Sequence, residues 1–335
     1  MYLIRGIQNI DLYKERNPEV ELIATIGNFD GLHLGHQHII ENMQKDAQKN
    51  EWKKLIIFTE PHAKEFFAES LGTDEKRPPR ILPWSEKVKR MEELGIEFAF
   101  FLNFNNQLRK MTPEDFLSKV LSSLNIKKLV IGDDFRFGAN REGDFSFLQD
   151  WGKKNEIEVE KTETFSIGNQ RVSSTRIREC LLANMFDEAK ELLGRPYTFS
   201  GKVVFGKQLG TQLGVPTANM WLPKNKLPIA GVYIVKVFFE GNELGGGCGV
   251  KSTILLCGLV VYFLLKASCR SCSSLSALLG GDQLGSFVLI YSANLLRKVF
   301  TVSGLTVKFS LSMSINAGYA LQYRIALHVA TKDKD

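Results

Sequence analysis

Two histidines three residues apart, His33 and His36, lie in a glycine-rich stretch that reads GNFDGLHLGH from Gly27 to His36. An apolar run precedes this stretch and a helical pattern follows it, so the unpaired N–H groups and positive dipole end of the helix would face an anion. Imidazoles beside such a helix start can hydrogen-bond phosphate oxygens and stabilise the charge that develops when phosphorus is attacked. The residue types and their spacing therefore predict a nucleotide site.

Two other interpretations of these histidines are open at this point. His33, His36 and His38 could hold a metal ion, although no carboxylate or cysteine stands nearby at the usual ligand spacing. Histidines at a helix start can also be purely structural. The motif by itself favours the nucleotide over both alternatives, and the rest of the chain has to decide.

Two more segments combine chemistry-bearing residues with turn or helix-start signals. Residues 132–138 read GDDFRFG after an apolar run; their aromatic rings could stack on a flat heterocycle while Arg136 pairs with a phosphate. Residues 172–178 read VSSTRIR, a helix start in which hydroxyls cap the first turn and Arg178 could reach a phosphate. Taken singly, the first segment favours a hydrated turn with buried phenylalanines, and the second is also compatible with a helix cap alone.

These motifs follow strands in a regular alternating pattern. Strands are predicted at 22–26, 55–58, 98–101, 128–131 and 157–161, and helices at about 36–49, 85–94, 113–124 and 146–153. Such alternation predicts a parallel sheet with helices on its faces, and ligands bind these sheets beyond the carboxyl ends of the strands. The loops that begin at Gly27 and Gly132 lie at two such ends.

The overall composition limits the class of protein. A length of 335 residues with 44% apolar residues predicts about two globular domains with sizeable cores. The N-terminal segment has no long apolar stretch after a basic start, so we predict no secretory signal and expect a cytoplasmic protein. The net charge is +6, but the first 248 residues carry equal numbers of basic and acidic side chains, which argues against a broad nucleic-acid-binding surface.

The sequence changes character near residue 249. All ten prolines and all four tryptophans lie before it, the last glutamate is Glu243, and four of the five cysteines lie at or after Cys248. The apolar run at 254–265 is shorter than the ~20 residues that span a bilayer, which argues against a membrane segment. The later cysteines include one CxxC pair with no second pair or histidine partner, which is weak evidence for zinc.

The three motifs, in this order and at these intervals, resemble those of the bacterial bifunctional riboflavin kinase/FMN adenylyltransferases, also called FAD synthetases. GNFDGLHLGH is similar to that family's form of the nucleotidyltransferase HxGH signature, IGDDFRFG with Gly143 and Asp144 to its flavin-side loop, and VSSTRIR to the second signature. The segment FTEPHA at 58–63 resembles the family's TFEPHP imperfectly, so Glu60 and His62 receive no predicted role. The resemblance implies an α/β, Rossmann-like nucleotidyltransferase domain with a parallel sheet.

The implied reaction is transfer of AMP from ATP to FMN, with no covalent enzyme intermediate and with pyrophosphate leaving together with Mg²⁺. By this resemblance the catalytic residues, which stabilise the ATP phosphates, are His33, His36 and Arg178. The other implied residues bind ATP (Gly27, Phe29, Asp30, Gly35, Ser174, Thr175) or face the flavin (Asp134, Phe135, Arg136, Phe137).

A strand-rich pattern from Tyr197 onward begins a second domain, which resembles the start of the family's riboflavin kinase β-barrel. The family usually has histidine where Phe205 stands and arginine where Thr211 stands, so weaker phosphate contacts are implied there. The resemblance implies ATP-binding glycines and Mg²⁺ ligands of the kinase domain at Gly206, Gly210, Gly214, Thr217 and Asn219. The predicted domains are the adenylyltransferase at 1–185, the start of the kinase at 186–248 and an atypical tail at 249–335.

The resemblance ends at about Gly246, before the strands in which the family carries a glutamate that acts as base. The joint loss of proline, glutamate and tryptophan is what an altered reading frame would produce, so we predict a frame-shifted or disordered tail. Adenylyl transfer is expected to survive, whereas riboflavin phosphorylation is in doubt.

The predicted partners of the chain are the small molecules ATP, FMN and riboflavin, without nucleic acid or membrane. Two alternative functions stay open. One is a related nucleotidyltransferase with another phosphate acceptor, and the other is a non-catalytic nucleotide-binding module.

Overall fold

A computed structural model describes residues 1–73, 76–204, 218–221, 227–239, 242–250, 257–260, 305–308, 311–314 and 322–331. The chain divides into two compact units. The first comprises Met1–Glu179 and Leu192–Gly194, and the second Cys180–Glu191 and Arg195–Asp335. The predicted domain boundary near residue 185 falls within Cys180–Glu191, which belongs to the second unit although Leu192–Gly194 belongs to the first.

The first unit is built on a six-stranded parallel sheet with the order β1-β4-β3-β2-β5-β6. Its strands are β1 (Tyr2–Arg5), β2 (Leu22–Ile26), β3 (Lys53–Glu60), β4 (Phe98–Asn103), β5 (Ile126–Ile131) and β6 (Glu158–Lys161). Its α-helices are α1 (Ile10–Arg16), α2 (Leu34–Asn50), α3 (Ala63–Ser70), α4 (Trp84–Glu93), α5 (Asn106–Arg109), α6 (Pro113–Phe116) and α7 (Phe145–Lys154). Helix α8 (Ser174–Leu182) begins in this unit. The predicted parallel α/β architecture is confirmed.

The central strand β2 explains why the sheet forms and where its ligand crevice lies. Leu22 and Ala24 pack in one hydrophobic cluster and Ile23 in another, so consecutive side chains of β2 fill the two faces of the sheet. Strand β3 pairs on one side of β2 and β5 on the other, which makes the β2–β5 pair the point where strand order reverses. The loops after these two strands are therefore the place where such a sheet binds ligands.

Most predicted elements agree with the structure, and the differences have local causes. Strand β2 has the predicted bounds, whereas the helix predicted at 113–124 ends as α6 at Phe116 and continues as a π-helical turn, Leu117–Leu121. The sequence analysis missed β1, α1, α3 and α5, which have four to eight residues each and offer little periodicity. A hairpin, β7 (Ser166–Ile167) with β8 (Gln170–Arg171), precedes helix α8.

The second unit contains an antiparallel sheet, as the strand-rich pattern predicted. Its elements are α9 (Phe186–Leu193, in part), β9 (Tyr197–Val204), β10 (Ala218–Trp221), β11 (Gly231–Phe239), β12 (Asn242–Val250), β13 (Cys257–Val260), β14 (Leu305–Lys308), β15 (Leu311–Ser314) and β16 (Gln322–Thr331). The strand order is β11-β12-β13-β10-β9-β16-β14, with β15 on β16 and a further pairing of β16 with β11. Strands β13 to β16 come from the predicted tail and pair within this sheet.

No helix in the described part of the chain has the length and apolar composition needed to cross a membrane. Among the same residues, no group of three or more histidine, cysteine, aspartate or glutamate side chains is arranged to hold a metal ion. His33, His36 and His38 therefore do not form such a group.

Candidate active site

The loop that leaves β2 has an unusual backbone. Phe29 and Leu32 adopt φ values of 48° and 43°, which non-glycine residues rarely do, and Gly31 lies between them at φ 82°. The side chains of Phe29 and Leu32 are nevertheless only 1% and 0% exposed. Burial of two large apolar groups compensates the unfavourable backbone, so the loop holds a fixed shape at the carboxyl end of β2.

The two predicted catalytic histidines lie together at the start of α2. His33 is the N-cap, and its Nδ1 accepts a hydrogen bond from the His36 backbone N–H at 3.3 Å. The rings stack with their centroids 3.7 Å apart at 16°. Since Nδ1 of His33 accepts, the proton of the neutral ring lies on Nε2, where it can be donated.

His36 is held as a neutral ring. Burial lowers its pKa well below the usual value, and the nearby His33 and Lys87 lower it further. Its buried Nδ1 has no hydrogen-bond partner among the described residues. A buried polar atom without a partner costs stability, so a ligand that supplies a hydrogen bond to Nδ1 would remove that cost.

Gly35 and Gly27 are required by close packing around these rings. A Cβ on Gly35 would lie 3.2 Å from Cε1 and Nδ1 of His33, and a Cβ on Gly27 would lie 3.0 Å from the ring of Phe29. Either side chain would push a ring away from its place. Gly27 and Gly35, which were predicted to belong to the ATP-binding loop, thus leave room for the rings of Phe29 and His33.

Asp30 and Arg178 join the first and third motifs. Asp30 Oδ2 pairs with Arg178 Nη2 at 2.5 Å, and its carboxylate also accepts the backbone N–H groups of Ile81 (3.2 Å) and Leu82 (3.3 Å). Ser174 Oγ donates to the Asp30 carbonyl at 2.9 Å. Asp30 is buried and fully engaged in these contacts, so its position anchors the loop and Arg178 rather than lining open space.

The helix start at Ser173 has the predicted cap. The Ser173 hydroxyl accepts the backbone N–H of Arg176 at 3.2 Å, while the Thr175 side chain is exposed. Arg178 lies one turn into α8 and donates from Nε to the Pro79 carbonyl at 2.7 Å. The segment around Pro79 therefore connects the two signature motifs.

The sequence analysis missed a set of buried charges beside this loop. Lys87 on α4 donates from Nζ to the Asn28 carbonyl at 2.8 Å. Arg80 lies between two carboxylates, with Nε 2.6 Å from Glu65 Oε1 and Nη2 2.5 Å from Glu60 Oε1. The sequence did contain a sign that Lys87 is buried. The helical spacing places Lys87 on the same face of α4 as the apolar residue Met91, which is also buried.

His62, whose motif resembles the family imperfectly, has a structural contact. It is the N-cap of α3, where its side chain accepts the Lys64 backbone N–H at 3.0 Å. Burial lowers its pKa to about 4, against the opposing effect of the Glu65 and Asp30 charges. The ring is thus neutral at physiological pH.

The loop after β5 separates the four predicted flavin-facing residues. The ring of Phe137 is buried in the core, 5.5 Å from that of Phe116, whereas Phe135 is half-buried and stacks on Phe137 at 5.7 Å. Arg136 is exposed and pairs with Asp144 at 3.0 Å. Asp134 is exposed and pairs with Arg171 of β8 at 3.0 Å. The loop therefore exposes Asp134 and Arg136, whereas Phe135 lies partly buried against the core next to Phe137.

The predicted kinase residues are covered only in part. Gly206, Gly210, Gly214 and Thr217 lie outside the described residues. Asn219 belongs to β10, where it is paired with Val204 of β9 and Gly258 of β13.

Comparison with known proteins identifies the chain's relatives. A family model described as FAD synthetase matches residues 15–176, and one described as riboflavin kinase matches residues 193–265. A bifunctional riboflavin kinase/FMN adenylyltransferase of Escherichia coli (strain K12) is 38% identical over 244 residues, which are 72% of this chain and 75% of that protein. The chain belongs to the bifunctional riboflavin kinase/FMN adenylyltransferase family. Another protein of that name, from Pseudomonas fluorescens, is 37% identical over 257 residues, 76% of this chain and 79% of its own.

Membership in the FAD synthetase family agrees with the division of the chain. The two family models match in the predicted order, and the second ends at residue 265, somewhat beyond the predicted end of the resemblance near Gly246. The chain is also similar to a solved structure of a macrolide-efflux protein from Streptococcus pneumoniae, with a TM-score of 0.60 and 20% sequence identity. The match covers 100% of this chain and 86% of that protein's chain, and at this identity it supports the fold alone.

Proposed function

We propose that this chain makes FAD, by phosphorylating riboflavin to FMN and by transferring AMP from ATP to FMN. The observation that carries the adenylyl transfer is the stacked pair His33 and His36 at the start of α2. This helix follows β2, next to the point where the strand order of the parallel sheet reverses. Consecutive matches to the FAD synthetase and riboflavin kinase families support the pair of activities.

In adenylyl transfer, a phosphate oxygen of FMN attacks the α-phosphorus of ATP. A new P–O bond forms while the bond to the β-phosphate bridging oxygen breaks, and pyrophosphate leaves with that electron pair. The helix start and the imidazoles of His33 and His36 stabilise the negative charge that accumulates on the phosphate oxygens. A neutral His36 and an Nε2–H on His33 are suited to donating hydrogen bonds, so neither residue needs to act as a nucleophile.

The remaining substrate contacts are assigned from exposure. The flavin ring is proposed to lie against half-buried Phe135, with Asp134 and Arg136 at its edges. Phe137 supports this loop from the core. We propose that Ser174, Thr175 and Arg178 at the start of α8 hold the terminal phosphates of ATP, with Arg178 oriented by Asp30.

ATP-dependent transfer of this kind requires Mg²⁺, which would neutralise part of the negative charge of the phosphates when bound. Mg²⁺ in such sites is held by few protein oxygens and mainly by substrate phosphates, which fits the lack of a dedicated acidic cluster among the described residues. The amide oxygen of Asn219, together with Thr217 of the same PTAN segment, would be suited to it in the kinase unit.

The two activities are expected to differ in robustness. The adenylyl-transfer motifs end at Arg178, so all of them lie within the first unit. The chain has no glutamate after Glu243, so the base that the family carries in later kinase strands is missing from the tail. We therefore propose that FMN adenylylation is the stronger activity, and the reading-frame hypothesis for the tail stays a prediction that the nucleotide sequence can test.

A product assay tests the proposal. The purified full-length chain is incubated with Mg·ATP and either riboflavin or FMN, and riboflavin, FMN and FAD are separated by chromatography. FAD from both substrates shows both activities, and FAD from FMN alone shows an adenylyltransferase with an impaired kinase. A folded protein that binds ATP but yields neither FAD nor pyrophosphate refutes the proposal and leaves a nucleotide-binding module.

A further inference from the structure

Phe29 adopts a backbone conformation that must be held from outside. Its φ of 48° lies in the left-handed region, and its large side chain is buried. A residue of this type stays in that region only where neighbouring contacts determine the backbone on both sides. The question is which contacts do so here.

Two anchors flank Phe29 directly. On one side, the Asn28 carbonyl accepts a hydrogen bond from Lys87 Nζ at 2.8 Å. On the other, the Asp30 carboxylate accepts the backbone N–H groups of Ile81 and Leu82. Lys87 is thus the side chain that fixes the backbone immediately before Phe29.

Lys87 is built into the structure for this contact. It lies in the first turns of α4 and is 6% exposed, with its Nζ 4.9 Å from the ring centroid of Phe58. Burial lowers the pKa of Lys87, while the nearby charges of Asp30 and Glu60 oppose that effect. The amine nitrogen carries N–H donors in either protonation state, so the bond to Asn28 does not depend on its charge.

The position of Phe29 is transmitted to the histidines by direct packing. Its ring centroid lies 4.8 Å from that of His36, and His36 stacks on His33 at 3.7 Å. A shift of Phe29 therefore moves the imidazoles and the start of α2, where the phosphates of ATP are proposed to bind. The FMN side of the site, on the loop after β5, is not part of this chain of contacts.

We propose that Lys87 is a positioning residue for ATP in adenylyl transfer, acting through the Asn28 carbonyl and Phe29 on the histidine pair. This inference rests on the function proposed above. Lys87 contacts the protein backbone rather than the reacting atoms, so its effect is on the geometry of the nucleotide loop. Loss of this one buried hydrogen bond predicts an increase of roughly tenfold in the KM for ATP.

The test compares Lys87→Met with Lys89→Met, an exposed lysine of the same helix. In the full-length chain, rates of FAD formation are measured against ATP at saturating FMN and against FMN at saturating ATP. We expect Lys87→Met to raise the KM for ATP about tenfold and to leave the KM for FMN within about twofold of the unsubstituted chain. Lys89→Met is expected to leave both constants unchanged.

The alternative is a purely structural lysine, for which kcat per total protein falls with the fraction folded while both KM values stay the same. That outcome overturns the proposal. If Lys87→Met does not fold, Lys87→Gln replaces it, because glutamine is one bond too short to reach Asn28 and keeps a polar side chain. An unchanged KM for ATP in folded Lys87→Gln also overturns the proposal, whereas absence of FAD from the unsubstituted chain refutes the proposed function instead.

Discussion

Replacing Arg80 with methionine is expected to destabilise the first unit strongly. Arg80 is the shared partner of Glu60 and Glu65, and the Glu65 side chain is 3% exposed. Methionine fills the space of the arginine stem but leaves both carboxylates without their cation. Removing one partner of a buried ion pair is costly because the remaining charge stays buried.

The magnitude follows from the proton that Glu65 would have to bind. Burial raises the pKa of Glu65, but its hydrogen bond and charge interaction with Arg80 outweigh this and hold it below the ordinary value of 4.5. Without Arg80, Glu65 avoids a buried charge by taking up a proton. From an ordinary pKa of 4.5 to pH 7 this costs roughly 3 kcal/mol, at about 1.4 kcal/mol per pH unit. Lost hydrogen bonds bring the expected destabilisation to about 3–5 kcal/mol.

The sign of the pH dependence is fixed by the same pKa. In the unsubstituted chain the lowered pKa of Glu65 contributes stability above about pH 4.5, and this is lost as the pH falls through the folded-state pKa. In Arg80→Met the cost of protonating Glu65 falls as the pH is lowered from about 7 to 4.5. The stability difference between the two chains is therefore largest near pH 7 and shrinks by roughly 3 kcal/mol toward pH 4.5.

Thermal unfolding followed by tryptophan fluorescence measures this effect, since three of the four tryptophans, Trp52, Trp84 and Trp151, lie in the first unit. At about 2–4 °C per kcal/mol, a loss of 3 kcal/mol lowers the unfolding midpoint by roughly 6–12 °C at pH 7. Arg90→Met is the matched control, because Arg90 pairs with Glu93 on the partly exposed surface of α4 and is worth only about 0–1 kcal/mol. Equal midpoints for the two variants, or a difference that stays constant down to pH 4.5, would refute the reasoning.

Three further predictions concern the reactions. His36→Ala is expected to lower the kcat of FAD formation by about 10²–10³ with little change in the unfolding midpoint, since the ring leaves Nδ1 without a partner; an unchanged kcat contradicts the assignment. Gly35→Ala places a Cβ 3.2 Å from the His33 ring, so FAD formation should fall about tenfold while circular dichroism stays the same; an unimpaired rate argues against a role for the ring position. Asn219→Ala should reduce only the phosphorylation of riboflavin, measured as FMN, and a parallel fall in the adenylylation of added FMN would show that its role extends beyond the kinase unit.

The fold of the first unit could be predicted largely because its strands are uniform. Apolar runs such as Leu22–Ile26 are buried on both faces of a parallel sheet, so the sequence carries a strong signal there. The strand-rich pattern from Tyr197 onward likewise predicted the antiparallel sheet of the second unit, which includes the nine-residue strand Gly231–Phe239. Short elements such as α5 were missed because four residues cannot show a period.

The sequence by itself determined the chemistry of the candidate site. The histidine pair, the glycines beside it and the capped helix start are local features, because the spacing of residues within one turn already places them on one helix end. These segments also made the family recognisable before any contact was known.

Only the tertiary structure decided which residues hold that chemistry in place. Asp30 and Arg178 are far apart in the chain and meet across the fold, and Lys87 reaches Asn28 from a helix whose packing the sequence does not specify. Phe137, predicted to face the flavin, belongs to the core because its ring packs on Phe116. The physical reason is that burial and charge pairing depend on contacts between distant segments, whereas sequence patterns report only the neighbours within a few residues.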